Sequence, residues 1–369
     1  MKKVQFIIKV TNACNLRCKY CYNAAKGFKQ GVIPLERFEK AISMFDDFDV
    51  IQVIFHGGEP MLGGLPFYKK AMEIEEVFTA KKGIQFENLI QTNATLIDKE
   101  WIAFFKKHKF TVGVSFDGLE NEKYRGETDK VLKNIALLHK EGMRVGGIAV
   151  VASPDYDIGA NYDYFKSLGL SADFSIVFNE GNAKDMALMR IEDYTKQMLN
   201  LFDRWIYDVK GVNVRPFAFM LRKAMHCCKE YCGNGSCIGN FFCFDVDGSI
   251  YGCSHETVKS YRFGNIDELK THHDIINSPN FKAYLLGSIE RRKTCQATCS
   301  YYDYCKGGCV DDAILAGDIS KPNEAYCFYF RSLFDKVKAT VDEIFEKKIP
   351  LDQLNPVFKK ILAESMMSK

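Results

Sequence analysis

The sequence predicts an α/β fold, a curved parallel sheet or partial barrel of βα units, followed by a cysteine-rich, loop-rich region and a helical tail. Three observations lead there. Short apolar runs alternate with amphipathic stretches through the first 220 residues, the pattern of repeated βα units. The 14 cysteines fall into two groups, with none between Cys21 and Cys227. Helical spacing returns strongly only near the end, from about Tyr326.

Taken in order, strands are predicted at Val4–Val10, Val50–Phe55, Phe86–Gln91, Thr111–Ser115, Arg144–Val151 and Ala172–Phe178. Each is a short apolar run of the kind that parallel strands, buried on both faces, require. Helices are predicted between them at Leu35–Phe45, Gly64–Ala80, Lys99–His108, Lys130–Glu141 and Tyr162–Leu168. Functional residues then belong at the carboxyl ends of the strands. The cysteine distribution divides the chain into residues 1–220, 221–335 and 336–369. The second part is rich in Gly, Tyr and Cys and poor in apolar periodicity, so its order is expected to depend on bound metal. Tail helices are predicted at Tyr326–Glu346 and Asp352–Met366.

Composition narrows the function classes. The 369 residues, 47% hydrophobic and 26% charged, describe an ordinary globular chain with a substantial core. A net charge of +3 gives no broad attraction to nucleic acid or to a membrane surface. No apolar stretch approaches the ~18 residues of a membrane span, and Met1–Val10 reads as a strand rather than a signal peptide. A cytoplasmic location is expected. In a reducing compartment so many cysteines read as metal or cluster ligands, not disulfides.

The first cysteines form the run Cys14-Asn15-Leu16-Arg17-Cys18-Lys19-Tyr20-Cys21. Three thiolates can hold three irons of a cubane cluster and leave the fourth without a protein ligand. An open position of that kind is what separates catalytic from structural metal sites. Some 35 residues later, Phe55-His56-Gly57-Gly58-Glu59-Pro60 closes a strand. Paired glycines there let the backbone approach a neighbour or ligand closely.

On these residues the first domain resembles the radical S-adenosylmethionine (SAM) superfamily. The CxxxCxxC run with Tyr20 before Cys21 is similar to that family's cluster loop, and Gly57-Gly58-Glu59-Pro60 to its methionine-binding motif. The resemblance implies a partial (β/α)6 TIM-like barrel in which SAM chelates the open iron and is cleaved to a 5′-deoxyadenosyl radical. It implies cofactor contacts from Gly57, Gly58 and Glu59, from Asn93 in Gln91-Thr92-Asn93, and from Ser115 (ribose), Arg125 (SAM carboxylate), Tyr20 (adenine) and Asn179, with Glu180 close by.

The later cysteines resemble the SPASM extension of peptide-modifying members. Cys232 and Cys237 precede a hairpin, Asp245 to Cys253, whose Asp247-Gly248 supplies a tight turn. Phe263-Gly264-Asn265-Ile266 follows, then Cys295, Cys299, Cys305, Cys309 and finally Cys327. The resemblance implies one auxiliary [4Fe–4S] cluster on Cys232, Cys237, Cys253 and Cys309, and a second on Cys295, Cys299, Cys305 and Cys327, hence three clusters in all. Three residues rather than two separate Cys295 from Cys299, a departure from the pattern. Cys227, Cys228 and Cys243 are left over and read as small buried hydrophobes, with Cys243 an alternative to Cys237. Zinc on the CxxxC pairs is the rival reading of the block.

The reaction expected is oxidative modification of a ribosomally synthesised precursor peptide, side-chain cross-linking through C–C or thioether bonds above all. Anaerobic sulfatase-maturating enzymes, which oxidise Cys or Ser to formylglycine, are the alternative in the same superfamily. In those an aspartate follows the hairpin cysteine as base and Gln often stands at the place of His56. Here Ser254 follows, then His255 and Glu256, the candidate bases. The cluster strand begins at residue 4, so the leader is expected to dock on the barrel or on the cysteine-rich surface. An external electron donor of flavodoxin or ferredoxin type is implied, with no nucleic-acid or membrane partner. A plain iron–sulfur electron carrier or scaffold is the rival from another class; it needs neither Gly57–Pro60 nor an open iron. RNA modification would call for a basic stripe with stacking aromatics.

Overall fold

A computed structural model describes residues 1–23, 31–226, 237–255 and 257–367. Its frame is one nine-stranded sheet. Six strands run in parallel and in chain order: β1 (Lys3–Thr11), β2 (Val50–Gly57), β3 (Gln85–Thr92), β4 (Thr111–Ser115), β5 (Val145–Val151) and β6 (Ser171–Ile176). Helices fill the connections, among them Leu35–Ser43, Gly64–Lys82, Lys99–Lys107, Thr128–Lys140 and Ile158–Ser167. Parallel strands need such crossovers, and the helices bury the outer faces of the sheet. Asp98 caps the Lys99 helix by accepting from the Trp101 N–H, and Asp157 caps the Ile158 helix by accepting from Ala160.

The sheet does not end at β1. Strand β7 (Phe241–Phe244) pairs with it in parallel, Ile7 opposite Cys243, on the side away from β2. Strands β8 (Ser249–Tyr251) and β9 (Gly264–Asn265) then add in antiparallel. Gly248, with φ +86°, makes the turn between β7 and β8. The hairpin of the cysteine-rich region is therefore an extension of the barrel sheet, and the apolar core runs through both.

The region after the hairpin holds more helix than its sequence predicts. Pro279–Thr298 is a twenty-residue helix, with Ser278 capping it by accepting from Phe281 N. Ile191–Trp205 and Arg215–Ala224 pack against the long helix Glu324–Glu346, and Pro356–Met367 packs on Arg215–Ala224. Among the described residues no helix is long and apolar enough to cross a membrane.

Candidate active site and cluster-binding cysteines

The loop leaving β1 carries Cys14, Cys18 and Cys21; Cys18 is buried and the other two are partly exposed. Cys18, Leu16 and Tyr20 pack with Tyr124, Ala152 and Ala183, which places the loop over the carboxyl ends of β4 to β6. All three thiols lie within electrostatic reach of one another. Burial pushes the Cys18 thiol up to about 11, Arg125 pulling it down and Cys21 and Asp117 adding to the rise. Three converging thiols, with Arg125 as their nearby cation, are the donor set that an iron–sulfide cluster completes.

The glycine pair earns its identity from this loop. A Cβ on Gly57 (φ +126°) would run into the Thr11 carbonyl oxygen, and one on Gly58 into that of Ala13. Gly58 N–H donates to Thr11 O (2.8 Å) and Glu59 N–H to Ala13 O (2.8 Å), so the end of β2 is stitched to the cluster loop. Glu59 is 1% exposed and its carboxylate accepts from Thr92 Oγ1 (2.7 Å), Met61 N (3.0 Å) and Asn93 N (2.8 Å). Its carboxylate braces β2 against β3. Asn93 extends the brace: its Nδ2 donates to Asn15 Oδ1 (2.9 Å), inside the cysteine loop.

Ser115 closes β4, where its Oγ accepts from Gln91 Nε2 (2.8 Å). Tyr20 donates to Asp117 Oδ2 (2.5 Å) and accepts from Arg125 Nη1 (2.8 Å). Asp117 is fully buried, and its Oδ1 accepts from Val150 N (3.0 Å). Tyr20, Arg125 and Asp117 thus form one locked cluster, in which the tyrosine hydroxyl is already engaged. In the sequence Asp117 is marked only as a carboxylate two residues past the apolar β4 run. Asn179 is exposed beyond β6, and the adjacent Glu180 is buried.

A second polar group lies toward the β1 and β7 side of the barrel mouth. Lys9, 2% exposed, stands opposite His56 in the β1–β2 register, and its ammonium lies 3.6 Å from Asp245 Oδ2 at the end of β7. Burial, with help from Lys9 and His255, pushes the His56 imidazole down to about 4. It is neutral, and its Nδ1 accepts from Gly57 N–H (2.8 Å), which leaves the hydrogen on Nε2. His255 Nδ1 sits 3.4 Å from Glu180 Oε2, with its ring against Phe178 and Tyr22. Burial opposes protonation of His255, but Glu180, Asp311 and Asp312 outweigh it and raise its pKa. Tyr22 Oη is 3.5 Å from Ser254 Oγ. Strand β6 and the post-hairpin loop are thereby brought together, a pairing of Glu180 with His255 that no local pattern announces. Glu256 lies outside the described residues, as do Cys227, Cys228 and Cys232.

The remaining cysteines fall in two places. Cys237, Cys253 and Cys309 all lie within electrostatic reach of the buried Tyr284 hydroxyl. Cys295, Cys299, Cys305 and Cys327 line a cavity of about 110 Å³, which Cys309 borders too. Cys243 is fully buried inside β7. The thiol donors at both places suit iron–sulfur ligation.

Residues 8–166 match the family model described as the radical SAM superfamily. A cysteine-type anaerobic sulfatase-maturating enzyme of Clostridium novyi (strain NT) is 28% identical over 367 residues, 91% of this chain and 96% of its own. A serine-type anaerobic sulfatase-maturating enzyme of Bacteroides thetaiotaomicron is 27% identical, covering 96% and 94%. The solved structure of histidine-tagged anSMEcpe with bound AdoMet has a TM-score of 0.82 at 26% identity, covering 98% of each chain. The native form with AdoMet and the Cp18Cys peptide has a TM-score of 0.80 at 27% identity, covering 93% and 99%.

Proposed function

We propose that this member of the radical SAM superfamily, an enzyme acting on a peptide or protein, oxidises a Cys or Ser side chain to an aldehyde, as anaerobic sulfatase-maturating enzymes do. The observation that carries the reading is likeness along nearly the whole chain: relatives of that name match over 91% and 96% of its length, and the TM-score is 0.82. A superfamily barrel alone would support much less. Cys14, Cys18 and Cys21 would hold a [4Fe–4S] cluster that binds SAM, and this would supply a 5′-deoxyadenosyl radical for abstraction of a substrate hydrogen atom.

The chain's own residues then divide the work. The Gly57–Glu59 stitch and the Asn93–Asn15 bond fix the cysteine loop. Ser115 and Arg125 line the SAM side, and Tyr20 positions Arg125. Oxidation then removes a second electron and a proton, which gives the aldehyde directly from Ser and a thioaldehyde from Cys; water hydrolyses the thioaldehyde to the aldehyde with release of hydrogen sulfide. Cys232, Cys237, Cys253 and Cys309, and Cys295, Cys299, Cys305 and Cys327, would hold two further [4Fe–4S] clusters, which would supply an acceptor for that electron. His255, oriented by Glu180, is our choice for the proton acceptor, since Ser254 cannot serve at neutral pH.

Cross-linking is the second reading, and one observation favours it: Ser254 stands where the sulfatase maturases carry a carboxylate. The test is anaerobic turnover of peptides bearing a Cys or a Ser, with SAM and a low-potential reductant. The product mass and hydrazide trapping of an aldehyde are measured. A product that lost two hydrogens, trapped no hydrazide and held a new intramolecular bond would transfer the assignment to cross-linking. His255→Gln is expected to keep 5′-deoxyadenosine release and lose most aldehyde, a general base contributing about 10²–10⁴-fold.

A further inference from the structure

The helix Pro279–Thr298 carries a buried cation that makes no direct ion pair among the described residues. Arg291 is 0% exposed. Its guanidinium donates to Gly307 O from Nε (2.9 Å), to Ile319 O from Nη1 (2.6 Å) and to Ser288 Oγ from Nη2 (3.5 Å). All three acceptors are neutral, and among the described residues no carboxylate lies within ion-pair distance. A buried cation with no carboxylate in direct contact is costly unless other negative charge lies near it; the Asp312 carboxylate is within electrostatic reach. The thiols within its electrostatic reach are Cys309 and Cys295. On the two-cluster reading these belong to different groups: Cys309, which also borders the cavity, stands with Cys237 and Cys253 near Tyr284, and Cys295 stands with Cys299, Cys305 and Cys327 around the cavity.

The hydrogen bonds reinforce the placement. Gly307 lies between Cys305 and Cys309, and its φ of +89° turns its carbonyl toward the helix. Ile319 precedes Cys327. One side chain therefore holds both loops, and its charge reaches one thiol of each group.

We propose that Arg291 is a shared positioning residue for the two auxiliary clusters, its buried positive charge stabilising the reduced form of each. The inference rests on the two-cluster reading above. Reduction adds one negative charge to a cluster, and nearby charge and burial are what set the potentials of such centres. Arg291 is shut off from solvent, and although the buried Asp312 carboxylate also feels its charge, no carboxylate among the described residues pairs with it directly, so the guanidinium acts on both groups with little screening.

The test is an anaerobic potentiometric titration of the reconstituted full-length protein with redox mediators, each cluster gaining one electron, followed by electron paramagnetic resonance. Wild type is compared with Arg291→Gln, Arg291→Lys and Lys293→Gln, the last removing an equal but exposed charge from the same helix. Arg291→Gln is expected to lower the reduction equilibrium constant of two clusters about tenfold, ~59 mV each for one electron. The third cluster and all three in Lys293→Gln stay in place, and Arg291→Lys stays near wild type. If Arg291→Gln leaves every potential unchanged with iron fully retained, or moves only one, the inference is overturned. If Arg291→Gln loses auxiliary iron, Arg291→Lys decides: retention of its clusters at wild-type potentials supports a role for the charge. Equal loss from the lysine variant assigns Arg291 to the loop contacts alone and overturns it. A wild-type count near four irons instead of near twelve would refute the two-cluster reading itself, a separate outcome.

Discussion

At the scale of single residues, the motif glycines owe their identity to the backbone beside them. Gly57 and Gly58 face the Thr11 and Ala13 carbonyls, so the space a Cβ needs is filled by backbone, which cannot rotate aside. Gly58→Ala must push the loop between Asn12 and Cys14 outward. We expect it to lose the N-terminal cluster's iron, about four per chain, together with 5′-deoxyadenosine release, while the later cysteine groups keep theirs. Iron analysis and a SAM-cleavage assay read this directly; an alanine variant with full iron and full cleavage would sink the steric argument. Spacing made these glycines visible in the sequence but assigned them to the ligand. Their first duty in the structure is to the chain. The same holds for Glu59, whose three accepted hydrogen bonds brace β2 to β3. His255 could be singled out from its place after the hairpin cysteine. Its partner Glu180 could not be paired with it, because contact across 75 residues leaves no local trace.

At the scale of elements, the parallel strands were legible because burial on both faces writes each as an unbroken apolar run. The helix Pro279–Thr298 was not. Its buried residues, Phe281, Tyr284, Ser288, Arg291 and Cys295, follow ideal helical spacing, yet three of the five are not apolar signals. Elements also carry their own titration. Glu75, buried on the helix Gly64–Lys82, accepts from Asn88 Nδ2 of β3 (2.7 Å), while Glu75 Oε1 and Asn88 Oδ1 have no partner. A protonated carboxyl meets that need, and burial raises the Glu75 pKa to about 8. Because the folded pKa lies above the unfolded ~4.5, the native state holds this proton more tightly. The stability it contributes is complete below the unfolded value and is lost as pH rises through about 8. The sum over that window is on the order of 5 kcal/mol. Glu75→Gln, neutral at every pH, is expected to raise the melting temperature near pH 8 and to leave it almost unchanged near pH 5. An equal shift at both would refute the titration.

At the scale of the whole molecule, the sequence's clearest division, cysteine-poor first part and cysteine-rich second, is crossed by one sheet. Pairing of β7 with β1 joins segments more than 230 residues apart, and such pairing is set by topology rather than by local pattern. The Lys9–Asp245 pair lies at this junction, both side chains nearly excluded from water. Asn12, just before the cysteine loop, adds a hydrogen bond to Asp245 Oδ1 (3.1 Å). Removing one partner of a buried ion pair strands the other, at a cost of about 3–5 kcal/mol, whereas replacing both with apolar residues costs far less. Asp245→Ala is therefore expected to destabilise strongly, and Lys9→Met combined with Asp245→Leu to recover most of the loss. Hydrogen exchange distinguishes a joint from a general brace. In Asp245→Ala, protection should fall first in Phe241–Asn265 and in the end of β1, while β3 to β5 stay protected. Protection lost evenly along the sheet would mean that the pair supports the core as a whole and does not fasten the hairpin to the barrel. The distinction bears on function, because the same junction sets where His255 stands relative to the cysteine loop. Loosening it should reduce peptide oxidation more than SAM cleavage, since the loop's own stitches to β2 and β3 remain.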